Sequence, residues 1–202
     1  MHPNPAFRQA AADQNLSFAR ERGFGVLSVN GEAGPLLSHI PFLLAGDGKN
    51  ADLHLVRSNP IARLGEVEAV IAVSGPDGYV SPDWYGTDDQ VPTWNYVAVH
   101  LRGRLEPLPH SGMLDMLDRQ SAAYERRLLP KAPWTTSKMT PDALKRMLRQ
   151  ILPFRLHIRE VTGTWKLNQN KSDDARRKAA QEMAGGMGSE LDLLAEWMRD
   201  AE

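Results

Sequence analysis

Cysteine is absent from all 202 residues, which excludes a disulfide framework, a thiol nucleophile and a thiolate metal site. Charge of either sign is not in excess: the formal net charge is −1, so bulk attraction to nucleic acid is excluded, though not a local basic patch. No apolar run approaches the roughly 20 residues that span a bilayer. The opening Met1-His2-Pro3-Asn4-Pro5-Ala6-Phe7 lacks a basic region followed by an apolar one, so no secretory signal is expected there, and a cytoplasmic protein is the default. Glycine-rich phosphate loops and a His-Glu-x-x-His helix are missing as well, and Gly23-Phe24-Gly25 is too short a pair to stand for either loop. Internal repeats and low-complexity tracts are also lacking. The length fits one domain with a sizeable core, here taken as residues 1–202.

Alternation of apolar and polar residues dominates what is present. A proline-anchored start and a helix are expected from Asn4 to Arg22, ended by Gly23. Strands follow at Phe24 to Val29 and Pro35 to Leu44, joined by the hairpin loop Gly31-Glu32-Ala33-Gly34. The second of these runs is apolar at nearly every position, as in a strand covered on both faces, with a barrel on one side and a helix or second subunit on the other. Pro41 within it implies a bulge or an edge. Asp52 to Arg57 alternates again, and Asn59-Pro60 caps a short helix through Leu64. A strand is expected at Ala69 to Ser74, a turn at Gly75-Pro76-Asp77-Gly78, and a long aromatic loop to Pro92. Val97, Val99 and Leu101 then share one strand face, and Gly103 to Pro109 leaves the barrel. A helical insertion over 111–152 follows, its first helix capped by Ser111 and its second by Thr140-Pro141. Phe154 to Arg159 rejoins the sheet. A C-terminal helical extension over 172–202 holds a helix capped at Ser172, a hinge at Gly185-Gly186-Met187-Gly188, and a last helix capped by Ser189. The fold class is mainly β with appended helices (α+β), an antiparallel barrel with a helical excursion.

Binding chemistry concentrates in Val91-Pro92-Thr93-Trp94-Asn95-Tyr96, which runs into the Val97 strand. Its flat apolar surface beside amide and hydroxyl groups suits a planar, polar-edged ligand such as a flavin or a base; a buried aromatic cluster closing a barrel end fits equally well. Ser38 and His39 are strand neighbours and point to opposite faces, so they form no dyad with each other. His39, His54 and His100 all fall on strands, where single histidines are more often core or surface residues than metal ligands, and no metal is expected. The pairs Asp88-Asp89 and Asp173-Asp174 read as loop and helix-start residues. Arg57 before Asn59-Pro60 is either an anion site or a solvated strand-end charge. Trp165 to Lys171 is either an anion-binding stretch or an ordered connector, and Arg176-Arg177-Lys178 is a solvated helix face.

Taken together these segments resemble the PaiB-like family of FMN-binding negative transcriptional regulators. The resemblance runs in order over most of the chain. It rests on the opening His2-Pro3 to Phe7, Ser-His-x-Pro-Phe within Pro35 to Phe42, and His-x-x-Arg-x-Asn-Pro from His54 to Pro60. Tyr79-Val80-Ser81-Pro82-Asp83-Trp84-Tyr85, Val91 to Tyr96, and Lys166-Leu167-Asn168-Gln169-Asn170-Lys171 complete it. Asn168 stands where the family tends to have serine, and Thr164 where it often has lysine. The resemblance implies a flavin-reductase/pyridoxamine-phosphate-oxidase-like split barrel, a homodimer, and FMN in clefts between subunits. It further implies a repressor role, through DNA or a regulatory protein partner. Candidates for the cofactor are Ser38, His39, Arg57 (to phosphate), Ser58, Asn59, Trp84, Thr93, Trp94, Asn95, Lys166, Gln169 and Lys171. No catalytic residue is assigned. An FMN-dependent oxidoreductase and a flavin-free interaction module are the alternatives.

Overall fold

A computed structural model describes residues 1–201. Among them are seven strands in the order β1-β2-β3-β6-β5-β4-β7, with an additional pairing of β1 to β4. Their ranges are β1 Phe24–Gly31, β2 Gly34–Leu44, β3 Asn50–Val56, β4 Val67–Val80, β5 Thr93–Pro107, β6 Ile151–Lys166 and β7 Gly188–Ser189. The helices are α1 Ala12–Arg22, α2 Met113–Glu125, α3 Pro141–Leu148, α4 Asp173–Met183 and α5 Leu191–Asp200. The α+β class read from the sequence is what the chain adopts. None of these helices is long and apolar enough to cross a membrane. The chain divides into two compact units: a barrel unit of Ala19–Ala72 and Leu101–Val161, and a terminal unit of Met1–Phe18, Val73–His100 and the chain from Thr162 onward.

In the barrel unit the sheet closes on itself. β1 pairs with β2 from Phe24↔Pro41 to Gly31↔Gly34, and with β4 from Val26↔Ala72 to Val29↔Ala69. β3 joins β2 at Phe42↔Leu53 and β6 along Asn50↔His157 to Val56↔Ile151. Period 2 then sends Leu27, Phe42, Leu53, Ile71, Leu101 and Phe154 into one fully buried interior. Pro41 keeps the β1 register without a bulge, and pairing to β3 begins only at Phe42, so no ladder on that side requires an N–H at residue 41.

Helix α2 is fixed to this barrel by polar contacts. Tyr124 donates its hydroxyl to the carbonyls of Gly23 (2.5 Å) and Phe42 (3.1 Å). The Asp52 carboxylate accepts from Arg155 Nε at 2.7 Å and from Arg119 of α2 at 3.0 Å. Burial pushes the Asp52 carboxyl up, but these two guanidiniums outweigh it and hold the group below its ordinary value.

In the terminal unit, Phe18, Trp165 and Trp197 meet at centroid distances of 5.2 to 6.1 Å. Helix α4 brings in the buried Arg176, whose Nε donates to the Met198 carbonyl at 2.9 Å.

Several boundaries differ from the sequence reading. The expected turn at 75–78 is strand, because its glycines serve close packing and not chain reversal. A Cβ at Gly75 would lie 2.8 Å from the Phe18 ring, and one at Gly78 would meet Met183, Leu191 and Leu194. β5 likewise runs on to Pro107, since a Cβ at Gly103 would collide with the His157 carbonyl oxygen. Ser111 lies in a 3-10 turn and caps nothing, and α2 starts at Met113 after Gly112. The expected hinge ends in β7, which pairs Gly78↔Gly188 and takes up Ser189, so Glu190 with φ 53° precedes α5.

Removing the Asp52 carboxylate by Asp52→Ala strands Arg155 and leaves Arg119 with Asp115 alone, and should cost about 2–3 kcal/mol in urea unfolding. That is below the cost of breaking a fully buried pair because both guanidiniums touch water. With its pKa depressed in the folded state, the carboxylate stabilises above the unfolded value near pH 3.9. This contribution is lost as pH falls through the lower folded value, so wild type and variant should converge in strong acid. A variant as stable as wild type at pH 7 would remove the clamp from the account.

Candidate functional site

Of the residues singled out from the sequence, Ser38, His39, Arg57, Ser58 and Asn59 lie in the barrel unit, and Trp84, Thr93, Trp94, Asn95, Lys166, Gln169 and Lys171 in the terminal unit. In the barrel unit Ser38 and Asn59 are joined, with Asn59 Nδ2 donating to Ser38 Oγ at 3.1 Å. Asn59 Oδ1 meanwhile accepts the Ile61 N–H at 2.9 Å, capping a 3-10 turn over Pro60–Arg63. A turn this short supplies little dipole, so an anion there depends on side chains. His39 points outward and stacks with Phe24 at 6.5 Å. Arg57 is exposed and donates Nε to the Arg149 carbonyl at 3.0 Å, and its remaining guanidinium nitrogens meet no partner among the described residues; Ser58 is exposed beside it.

In the terminal unit the motif at 93–96 is part of β5, and Trp165-Lys166 is the end of β6. Lys166 donates Nζ to Thr93 Oγ1 at 2.5 Å and lies 5.8 Å from the Phe7 ring centre. No carboxylate pairs with it among the described residues, and burial pulls its pKa below the ordinary lysine value. Asn95 is completely buried, and among the described residues neither its side-chain amide nitrogen nor its oxygen has a partner. The Asn168 amide nitrogen is in the same condition, while Asn168 Oδ1 accepts the Tyr85 hydroxyl at 3.3 Å. Burial raises the Tyr85 pKa and keeps that hydroxyl a donor. Lys171 bonds Gln90 Oε1 at 2.6 Å and sits 5.0 Å from the Tyr85 ring centre. Trp94 is partly exposed, held by Tyr79 edge-on and by Asp77 Oδ1 at 3.3 Å. Trp84 lies beside Gly186.

Gln169 is different in kind. Its Oε1 accepts the Leu167 N–H at 2.8 Å and its Nε2 donates to the Trp165 carbonyl at 2.6 Å, so both ends hold the turn around Asn168, which has φ 65°. The contacts of Asp77 and Gln90 were not foreseen: each acts through a side chain from a different strand or loop, and local spacing carries no signal for that. No cluster of three metal-ligating side chains occurs among the described residues.

An unpaired cation beside a hydroxyl and a buried amide with two vacant hydrogen-bonding atoms fit a ligand that is polar at its edge and anionic. FMN has both properties. Residues 1–160 match the family FMN_bind_2, described as "Putative FMN-binding domain". The chain belongs to that family. It is 26% identical over 198 residues to the Bacillus subtilis protein named protease synthase and sporulation protein PAI 2, covering 96% of this chain and 94% of that one. Among solved structures it is similar to the FAD and heme binding protein from Mycobacterium smegmatis. That match has a TM-score of 0.59 at 16% identity, over 90% of this chain and 82% of that one. It is also similar to the flavocytochrome Anf3 from Azotobacter vinelandii, with a TM-score of 0.56 at 14% identity, over 82% and 72%. The expected barrel fold, the family and the cofactor FMN are thereby borne out.

Replacing Asn95 by leucine, of similar volume, removes two unpaired buried polar atoms. The cofactor-free protein should gain about 1 kcal/mol in urea unfolding, while FMN titration should show weaker binding. A less stable cofactor-free variant would mean that the amide is already satisfied in the protein alone, by a buried water for instance.

Proposed function

We propose that this protein is an FMN-binding homodimer of the cytoplasm that acts as a negative transcriptional regulator. The observation that carries the binding reading is the wholly buried, unpartnered Asn95 amide in the terminal unit that also holds the unpaired Lys166 ammonium. Asn95, Thr93 and Lys166 would meet polar edges of the cofactor, Trp94 and Trp84 would flank its rings, and Gln169 would act indirectly by holding the Asn168 turn. Lys171 would add positive charge. In the barrel unit, Arg57 with Ser58 would serve the phosphate, and Ser38, His39 and Asn59 would offer further polar contacts. Bound FMN supplies reversible electron transfer, and the chain's part is to bind and orient it.

Support for the homodimer comes from the outer face of the barrel unit. Phe24 is 54% and Leu37 63% exposed, and Val26 pairs with His39 between them on that face. Apolar side chains in such a row on one sheet face are a surface for a second copy of the chain. The regulatory reading is supported by similarity to the Bacillus sporulation protein along nearly the full length of both chains.

Protein purified without added cofactor should show a flavin spectrum, and acid should release FMN. A specific promoter fragment should then be retarded without appreciable NADH or NADPH consumption. Rapid turnover of either nicotinamide, with no retardation, would make the protein an oxidoreductase instead. A colourless protein that takes up no added FMN would sink the binding reading. Arg57→Ala should weaken FMN binding by about 1–3 kcal/mol through lost charge-assisted hydrogen bonds; unchanged affinity would remove Arg57 from the site.

A further inference from the structure

Helix α3 lies on the barrel unit almost uncovered, yet its C-terminal end is tied down. None of its residues is buried, and Met147 is 55% exposed. The last carbonyls of a helix have no partner within it and must find one elsewhere. Here three in succession are taken up by the barrel unit. Leu148 O accepts from His110 Nε2 at 3.0 Å, Arg149 O from Arg57 Nε at 3.0 Å, and Gln150 O from the Arg57 backbone N–H at 2.8 Å. The last of these continues the β3–β6 ladder past Val56↔Ile151, which sets residue 57 against the helix end.

Arg57 therefore faces two ways. Its Nε is used by the helix, where a cationic donor suits the negative end of the backbone dipoles. Its two terminal nitrogens are left over, and these are the pair that forks onto two phosphate oxygens. A planar guanidinium anchored at Nε presents that outer edge in one direction. The contact that ends the helix and the contact proposed for phosphate thus call for the same placement of one side chain.

We infer that the end of α3 positions Arg57 for the phosphate of FMN, and that the bound phosphate in return secures α3. This rests on the reading of Arg57 as a phosphate residue and deepens it by adding a regulation of that site. The two states are α3 tied at Leu148 to Gln150 and α3 released. Phosphate favours the first, because only there is the guanidinium already in place. The coupling is reciprocal: the factor by which the tied helix raises FMN affinity is the factor by which FMN favours the tied helix. A regulator needs a surface that reports its ligand, and this helix carries one. Lys145 and Arg146 are exposed on it, and the segment leading into it exposes Leu128, Leu129 and Trp134. An Arg57 that only capped the helix would make the same contacts but leave α3 indifferent to the flavin.

Hydrogen exchange of the full-length protein over residues 144–150, measured without flavin and with saturating FMN or riboflavin, tests the coupling. Riboflavin has the same rings and no phosphate. FMN should slow exchange there roughly fivefold or more, riboflavin should not, and Arg57→Ala should abolish the difference. A second chain carrying Ala143→Gly and Met147→Gly loosens α3 without changing its charge. It should bind FMN about fivefold more weakly, and in an Arg57→Ala background the two glycines should cost no further affinity. If FMN leaves α3 exchange unchanged while Arg57→Ala still weakens FMN binding, the coupling falls and the phosphate reading stands. Equal protection by riboflavin, or the same loss from the glycines with and without Arg57, would also overturn the coupling. Unchanged FMN affinity in Arg57→Ala, with α3 unresponsive to FMN, would overturn both.

Discussion

The pairing of β1 with β4 is the constraint on which the barrel unit depends. Without the four residue pairs from Val26↔Ala72 to Val29↔Ala69, the sheet would be open and two strands would present unpaired edges. Closure gives every strand of that unit two neighbours and leaves one interior, so side-chain direction follows from strand parity alone. That parity buries Phe42 while leaving His39 in solvent, and it puts the Asp52 carboxylate where α2 can reach it. A register slip of one residue in any strand of the ring would turn that strand's inward side chains out.

Polar groups are handled unevenly, and the unevenness points to ligand binding. Arg176, Gln169 and Asn59 have their hydrogen-bonding atoms occupied by backbone or neighbouring side chains. Each of these holds local structure in place. Among the described residues Asn95 is buried with both amide atoms unpartnered, and the half-buried Lys166 ammonium has the Thr93 hydroxyl but no carboxylate beside it, states that cost free energy in the protein alone. Family membership and this local imbalance are independent observations, and both point to a polar, anionic cofactor.

Strands with strict alternation were legible from the chain alone, and so were two of the caps that use a side chain, whereas the Ser81 and Asn4 caps were not read. Val97, Val99 and Leu101 read as one buried face because nothing in the segment competes with period 2. Asn59 and Ser172 were legible for the same local reason: the capping oxygen and the N–H it accepts are within three residues. Glycine misled at Gly75 and Gly103. Its sequence signal is the same whether it opens a turn or lets another backbone or ring approach, and only the tertiary neighbours decide between the two. The candidate site was legible as motifs, while the pairing of Lys166 with Thr93 joins residues 73 apart and had no local trace.

The exposed row of Phe24, Leu37 and their neighbours has a cost during synthesis. Strands β1 and β2 leave the ribosome well before β5 and β6, so this sticky surface exists while the barrel is still incomplete. A nascent chain in that state attracts chaperones and other unfinished chains. Cells that make the protein quickly would therefore be expected to lose more of it to inclusion bodies, and translation speed over the first half of the message becomes a determinant of yield.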